Sequence, residues 1–192
     1  EYVAIATGGN RIRTYTIATD TGISDPKTQP LPATPNAITP TDEGVAVGLA
    51  SGAVLPLASN GDGTFTEGTP VPVSAAPITL DAGDLNGDGL TDYIAGRNDR
   101  TVSVLVSTEG GTHAETEIGL DGQIRDAGAA DLDGDGDLDF GVLLTFGRFI
   151  AHLNDGTGAF TAQPIVRTVE GTTLEIADLT GDGLPDAVVV AG

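Results

Sequence analysis

Three aspartate-rich segments recur along the chain at a fixed interval. They read DLNGDGLTD, DLDGDGDLD and DLTGDGLPD, and they occupy residues 84–92, 131–139 and 178–186. Each copy begins 47 residues after the copy before it (84 to 131, and 131 to 178). A fixed period of about 20–50 residues is typical of repeat architectures, in which each unit buries its apolar face against the next unit. The interval therefore predicts a chain built from repeated units.

Short apolar runs surround each segment in the same order. Around the first segment, one run precedes it (78–83), two follow it (93–96 and 101–106), and a glycine turn leads into a further run. Four short strands per unit are typical of a β-propeller blade. Small residues directly precede the three segments, as expected for innermost strands that crowd around a central axis: Gly83, Ala130 and Ala177. We therefore predict an all-β fold, a β-propeller with about four four-stranded blades of about 47 residues each.

The units divide the chain as one propeller region, residues 1–192. Their approximate ranges are 1–36, 37–77, 78–123, 124–171 and a partial unit, 172–192. The second unit has lost the aspartate motif and reads ITPTDEG at 38–44. The first unit lacks an innermost strand, whereas the last residues supply an innermost strand and one strand more. We therefore expect either a section of a larger propeller, for example one of seven blades, or a ring that a second copy or a further segment completes.

The composition excludes several classes of function. The formal net charge is −20, which disfavours nucleic acid and anionic membrane surfaces as partners, because both attract clusters of Lys and Arg. The chain has no cysteine, so disulfides, zinc–thiolate sites and cysteine nucleophiles are excluded. No apolar run approaches the roughly 20 residues of a membrane span, and we expect no membrane insertion. Methionine is absent too, so we expect a processed product or a piece of a longer chain.

The aspartates of each segment are arranged as ligands for a hard cation. Counted from the first aspartate, positions 1, 3, 5 and 9 carry side-chain oxygens, and position 7 can contribute its backbone carbonyl. Position 6 is always glycine, where a sharp turn requires positive φ. Many oxygen donors without His or Cys favour Ca²⁺ over Mg²⁺, which prefers fewer protein ligands. The predicted metal ligands are Asp84, Asn86, Asp88, Leu90 and Asp92; Asp131, Asp133, Asp135, Asp137 and Asp139; and Asp178, Thr180, Asp182, Leu184 and Asp186.

The three loops predict about three bound Ca²⁺ ions, which would change the formal net charge from −20 to −14. The third loop is expected to be the weakest site, because Thr180 replaces a carboxylate there. An EF-hand would need Glu at position 12, where this chain has Ala95, Val142 and Val189. Two alternatives stay open: a polar Asp–Gly turn without metal at any one loop, and adaptation to high salt as the reason for the acidity.

The segments resemble a known repeat family. The similarity is to FG-GAP repeats, also described as VCBS repeats, and it rests on DLNGDGLTDYIAG, DLDGDGDLDFGVL and DLTGDGLPDAVVV, with NGDGTF (60–65) and NDGTGAF (154–160) at a later hairpin. Such repeats form the integrin α-subunit propeller and occur in many secreted bacterial and fungal proteins. The resemblance is strong over 78–192 and weak before that. It implies a β-propeller with Ca²⁺ in loops on one face, in a secreted, extracellular or cell-surface setting.

The resemblance and the composition together suggest a binding function. We expect a calcium-stabilised module that contacts an extracellular protein partner, in adhesion or surface assembly. The alternative is a calcium-dependent lectin with a glycan ligand, because some proteins with these repeats bind glycans between blades. Sugar sites usually present aromatic platforms, and the chain has only 3 Tyr and 5 Phe, which favours the protein partner. A polysaccharide-acting enzyme is a third interpretation.

The sequence offers little for catalysis, and we predict that the protein is not an enzyme. By the repeat spacing, His113 is equivalent to Phe65 and Phe160 and is expected to pack at a hairpin. His152 is expected on the surface of a strand. Three further acids near the loops are expected to be solvated rim charges, although a general acid–base pair among them stays open: Asp81, Asp126 and Glu175.

Overall fold

The computed structural model describes residues 2–7, 9–18, 22–23 and 26–191. Within these ranges the chain forms strands arranged in five antiparallel sheets. It divides into two compact units, residues 1–77 and 78–192. No helix among the described residues has the length and apolar character needed to cross a membrane.

The first unit contains two sheets. Their strands are β1 (Tyr2–Thr7), β2 (Arg11–Ala18), β3 (Gly22–Ile23) and β4 (Lys27–Pro30), then β5 (Pro35–Thr41), β6 (Gly44–Leu49), β7 (Ala53–Ser59), β8 (Phe65–Glu67) and β9 (Val71–Pro72). The first sheet has the order β1-β2-β3, with β4 also paired to β2, and the second has the order β5-β6-β7-β8, with β9 also paired to β7. Seven buried residues form the core of this unit: Ile12, Leu31, Val45, Val47, Leu49, Leu55 and Leu57.

The second unit contains two complete sheets and a two-stranded one. Their strands are β10 (Pro77–Gly83), β11 (Asp92–Arg97), β12 (Thr101–Thr108) and β13 (Thr112–Gly119); β14 (Ile124–Ala130), β15 (Asp139–Leu144), β16 (Arg148–Asn154), β17 (Phe160–Ala162) and β18 (Val166–Arg167); and β19 (Thr173–Ala177) with β20 (Asp186–Val190). The orders are β10-β11-β12-β13 and β14-β15-β16-β17, with β18 also paired to β16. The predicted four-stranded antiparallel units are therefore confirmed.

The strand count at the two ends of the chain also agrees with the sequence. In the part of the chain that the structure describes, β1 pairs with β2 alone and β20 pairs with β19 alone. The first sheet thus lacks a strand before β1, and the last sheet stops at its second strand. The number of blades in a closed ring stays a prediction, as does the assignment of residues 1–192 to a single region.

Burial follows strand position within each complete sheet of the second unit. The second strands, β11 and β15, are buried along their whole length, whereas β13 is mostly exposed. The core includes Val102, Val104, Phe140, Val142 and Leu144, all fully buried. Burying one such side chain contributes roughly 1.5–3 kcal/mol. The all-β fold is thus stabilised mainly by the middle strands of each sheet.

The first strands of neighbouring sheets pack closely, as the small residues in them predict. A methyl group on Gly83 would collide with the side chain of Leu138, which belongs to the next repeat. Gly128 and Gly141 both face Ile176, which belongs to the partial unit 172–192. A Cβ at Gly141 would lie 3.1 Å from the side chain of Ile176. Glycine at these places lets large apolar side chains of one repeat cover the backbone of another.

Two acids interpreted as rim charges instead connect neighbouring first strands, so that interpretation is wrong for them. Asp81 in β10 accepts a hydrogen bond from the N–H of Ala129 in β14 at 2.8 Å, and Asp126 in β14 accepts one from Leu174 in β19 at 2.9 Å. Both carboxylates are half-buried, whereas Glu175 is exposed. A carboxylate here satisfies a backbone donor at the junction between two sheets, which a solvated charge would not do.

The expected surface position of His152 is also wrong. His152 is 2% exposed, and its ring stacks on that of Phe140, with centroids 4.5 Å apart and planes 8° from parallel. The two residues are direct partners in the register of β15 and β16. The equivalent residue Leu105 is itself buried, so the repeat carried the correct signal. His113, in contrast, packs beside Tyr93 at 5.4 Å, as predicted.

Replacing His152 with leucine, the residue found at position 105, is expected to flatten the loss of stability at acid pH. Burial lowers the pKa of His152 below its ordinary value of 6.5. The unfolded chain therefore binds an extra proton first, and wild-type stability falls as the pH drops below about 6.5 towards the folded pKa. Urea unfolding between about pH 5 and pH 8 measures this slope. An unchanged slope in the variant would contradict the assignment.

Candidate functional site

The first aspartate of each loop is held by the backbone of its own loop. Asp131 accepts hydrogen bonds from the N–H of Gly134 at 2.7 Å and from the N–H of Gly136 at 3.0 Å. The corresponding bonds in the other loops are Asp84 to Gly87 (2.8 Å) and Gly89 (2.8 Å), and Asp178 to Gly181 (2.7 Å) and Gly183 (3.0 Å). The three loops therefore share one backbone scaffold around their first carboxylate.

The fifth position repeats in the same way. Asp135 accepts a hydrogen bond from the N–H of Asp137 at 3.0 Å. The equivalent bonds are Asp88 to Leu90 (2.8 Å) and Asp182 to Leu184 (3.0 Å). In each loop the fifth carboxylate thereby fixes the peptide whose carbonyl was predicted as a ligand at position 7.

The backbone of each loop has positive φ at two positions, and glycine occupies both of them. The prediction for position 6 is confirmed, with φ of 80°, 99° and 91° at Gly89, Gly136 and Gly183. Position 4 is also left-handed, with φ of 73°, 81° and 76° at Gly87, Gly134 and Gly181. The sequence analysis overlooked position 4, although glycine recurs there in all three copies. A β-branched or bulky residue at either position would strain the loop.

The ninth-position aspartates, predicted as metal ligands, have a structural role in the two complete sheets. Asp139 is fully buried, and its two oxygens accept the N–H of Leu132 at 2.8 Å and of Asn154 at 2.7 Å. Asp92 is equally buried and accepts the N–H of Leu85 (2.8 Å) and of Ser107 (2.6 Å). These carboxylates therefore tie the start of each loop to the third strand of its own sheet.

In the third loop, the ninth-position aspartate makes different hydrogen bonds from its counterparts in the other two loops. Asp186 is half-buried, and its Oδ2 accepts the N–H of both Leu179 and Thr180 at 3.0 Å. No third strand pairs with β20 among the described residues. The bond that Ser107 and Asn154 make in the complete sheets therefore has no counterpart in the described part of this loop. Among the described residues, the third loop is therefore the one whose ninth aspartate has no hydrogen bond from a third strand.

The second loop brings predicted ligands together. Oxygen atoms of Asp131, Asp133 and Asp139 all lie within 4.8 Å of one another. Within the described ranges, no other group of three acidic or histidine side chains converges in this way. The carboxylate of Asp137 instead faces Gly156 of the following hairpin, which agrees with a backbone rather than a side-chain contribution at position 7.

The electrostatics of the loops reflect two opposing influences. At Asp133, burial, followed by the neighbouring carboxylates of Asp135, Asp139 and Asp131, raises the pKa. At Asp84, burial alone would raise the pKa, but the backbone N–H groups of its own loop outweigh it and lower the pKa. Backbone donors therefore outweigh the effect of burial at Asp84, whereas at Asp133 burial and the neighbouring carboxylates outweigh the N–H of Asp135.

The sequence analysis missed Asn154, which connects two loops. Its side-chain amide is 5% exposed and donates to the carbonyls of Leu85 (2.8 Å), in the first loop, and Leu138 (3.1 Å), in the second. Its Oδ1 accepts the N–H of Gly158 at 3.0 Å. The equivalent residue in the preceding repeat is Ser107, so the repeat comparison did not mark this position.

The donor set of the loops fits a hard cation. Carboxylate oxygens converge at a tight turn without any sulfur or imidazole, and each oxygen that accepts one N–H retains a second lone pair. A cation bound in the second loop would be held by Asp131, Asp133 and Asp139. It would supply the positive charge that the backbone donors only partly provide.

A family model described as an FG-GAP-like repeat matches residues 84–142. This range begins at the first loop and includes the whole of the second. No curated protein sequence matches the chain. The sequence evidence for the family therefore lies in the region where the loop geometry is most complete.

Solved structures match over most of the chain. BBS1N, crystallised in complex with ARL6DN and soaked with mercury, matches with a TM-score of 0.69 at 14% identity, over 97% of this chain and 56% of that one. A protein from Lactobacillus plantarum matches with a TM-score of 0.60 at 13% identity, over 86% of this chain and 52% of that one. The chain thus spans about half the length of the solved structures that it matches. Residues 84–142 therefore match the FG-GAP-like repeat family, and the chain has the β-propeller fold of these solved structures.

Proposed function

We propose that the chain is a calcium-stabilised β-propeller segment that acts as a non-catalytic protein-interaction module outside the cell or at its surface. The observation that carries the proposal is the backbone scaffold common to the three loops, which in the second loop gathers oxygens of Asp131, Asp133 and Asp139 within 4.8 Å. A cation that binds this arrangement and not the unfolded chain stabilises the fold. The role of calcium is therefore structural.

The kind of site supports the proposed extracellular setting. Short loops of this type in extracellular modules bind Ca²⁺ with dissociation constants of roughly 10⁻⁴–10⁻³ M, and only extracellular calcium keeps such sites filled. The absence of cysteine means that no disulfide can stabilise the fold in that setting. Bound calcium would take over that stabilising role.

A protein partner agrees with the fold comparison. BBS1N, whose fold this chain shares, was crystallised in complex with ARL6DN. The lectin alternative needs several exposed aromatic platforms, yet among the described aromatic side chains only Phe146 is exposed, at 74%. Both histidines have packing roles, since His152 stacks on Phe140 and His113 lies beside Tyr93. These positions support binding rather than catalysis.

Replacing Thr180 with aspartate is expected to strengthen calcium binding at the third loop about tenfold, which is about 1.4 kcal/mol. The side chain of Thr180 is exposed at position 3, where the second loop has Asp133, so an added carboxylate needs no repacking. Calorimetric titration measures the change. An unchanged affinity of the weakest site would show that position 3 does not contact the ion.

The proposal is tested by removing one site at a time. Asp84→Asn, Asp131→Asn and Asp178→Asn are each expected to reduce the number of bound Ca²⁺ ions by one. Glu109→Gln is the matched control, because Glu109 is an exposed acid in a turn outside the loops. If each loop variant bound as many ions as the wild type, the loops would not be the metal sites.

A further inference from the structure

The arginines of the second unit all lie at one end of its strands. The first strand of each sheet runs into an aspartate loop, so all three loops lie at one end, and the turns between second and third strands lie at the other end. Every cationic side chain of residues 78–192 is at the end opposite the loops: Arg97, Arg100, Arg125, Arg148 and Arg167. Two of these arginines are paired with acids: Arg97 with Asp99, Glu115 and Glu117, and Arg148 with Asp121. The other three form no ion pair among the described residues, so an anionic group can bind at this end.

A cavity of about 220 Å³ opens at this end between two sheets. Its walls include Arg100, Asp121, Gln123, Phe146 and Arg148. Arg148 is fixed by Asp121, whose Oδ1 accepts from its Nη1 at 2.7 Å. Arg100 is exposed and makes no ion pair among the described residues. The cavity therefore has one guanidinium that is paired with an acid and one that is available to a ligand.

Backbone strain is concentrated at the same cavity. Among the described residues other than glycine, only Arg100 and Phe146 have positive φ, of 70° and 65°. The position equivalent to Arg100 is glycine in two other repeats, Gly52 and Gly147, with φ of 81° and 60°. Glycine or asparagine would adopt these conformations with less strain. Such strain is typically found where a side chain serves function rather than stability.

Exposed apolar surface adjoins the strained turn. Phe146 is 74% exposed, and Val169, which lies against Gly147, is 61% exposed. Neither side chain stabilises a core in this position. Aromatic residues and arginine are enriched at protein interfaces, where a few residues carry most of the binding energy.

We infer that Arg100, Phe146, Arg148 and Val169 form a docking surface for an acidic peptide segment of a partner protein, with an apolar side chain over Phe146 and a carboxylate on Arg100. This inference deepens the proposed interaction function and rests on it. Charge complementarity selects the acidic partner, since Asp121 pairs with Arg148 alone and Arg100 has no ion pair among the described residues. The surface and the metal loops lie at opposite ends of the strands and are separable by mutation.

The test begins with a randomised peptide library displayed on phage and selected on the calcium-loaded protein. We expect a consensus that combines Asp or Glu with a large apolar residue. The consensus peptide is then synthesised, and its affinity is measured by fluorescence anisotropy for the wild type and for Phe146→Asn, Arg100→Gly and Arg125→Gln. We expect the first two variants to bind at least about tenfold more weakly. Arg125, which does not line the cavity, is the matched control and should change affinity less than about twofold.

Stability separates this role from a structural one. Asn and Gly suit the left-handed turn, so Phe146→Asn and Arg100→Gly should melt at or above the wild-type temperature while losing the peptide. An enriched peptide that binds all variants equally, or the absence of an acidic consensus, would overturn the inference. Binding of polygalacturonate in place of peptide, lost in the same variants, would assign the surface to an acidic glycan instead. Calcium titration of the same samples tests the metal loops independently.

Discussion

Replacing Asp139 with asparagine is expected to lower the free energy of unfolding by about 3 kcal/mol, even in protein stripped of divalent cations. The carboxylate is fully buried, and its oxygens accept two backbone N–H groups, from Leu132 and Asn154. An asparagine side chain has one oxygen, so one buried N–H would face an NH₂ group and lose its acceptor. Urea unfolding in the presence of a chelator measures the change without any contribution from bound metal.

Asp186→Asn is the matched control for this prediction. Asp186 occupies the same ninth position, but it is half-buried and only its Oδ2 accepts N–H groups. Its replacement should cost about 1 kcal/mol or less, because solvent can satisfy the freed groups. Equal effects of the two variants in chelator would contradict the structural role assigned to Asp139.

Replacing Asn154 with serine is expected to cost about 2 kcal/mol, because the carbonyls of Leu85 and Leu138 lose their buried donor and Gly158 loses its acceptor. The backbone N–H of residue 154 still reaches Asp139, as the N–H of Ser107 reaches Asp92 in the preceding repeat. Serine is therefore compatible with the sheet, and the loss reports the side-chain bonds alone.

Ser107→Ala provides the comparison for Asn154. The hydroxyl of Ser107 is buried and has no hydrogen-bond partner within the described residues. Its removal should change stability by no more than about 0.5 kcal/mol. Chemical unfolding of both variants, with and without calcium, decides the matter. A loss at Asn154 no larger than that at Ser107 would show that the amide does not connect the loops.

The repeat predicted what each unit has in common. Strand order, the antiparallel sheets and the left-handed glycine at position 6 all follow from three copies that share spacing and residue type. The burial of His152 could also have been predicted from the repeat, since the equivalent residue, Leu105, is apolar. The error came from treating histidine as a surface residue without weighing the strand that surrounds it.

Contacts between repeats could not be predicted in this way. Asp81 meets the N–H of Ala129, and Asn154 meets the carbonyl of Leu85, 69 residues away. Such pairs depend on how one sheet is placed against the next, and a single sequence does not encode that distance in its local pattern. The strained turn at Arg100 and Phe146 was hidden for a similar reason, because neither residue type indicates positive φ.

The loops explain how so many aspartates can be adjacent. Backbone N–H groups bind the first, fifth and ninth carboxylates in each loop, and they leave the oxygens of Asp131, Asp133 and Asp139 converged. The remaining repulsion is the physical reason to expect a cation. The fold thus places the oxygen ligands, and a bound metal ion would supply the positive charge that offsets the repulsion between them.

The most direct measurement is a calorimetric calcium titration of the chelator-stripped protein, with the melting temperature followed in parallel. We predict about three bound ions and a rise of about 10 °C or more, since each site filled to about 100 times its dissociation constant contributes about 2.7 kcal/mol. Magnesium at the same concentration should stabilise less. If millimolar calcium produced neither binding heat nor a higher melting temperature, the loops would be metal-free turns, and adaptation to high salt would become the explanation of the acidity.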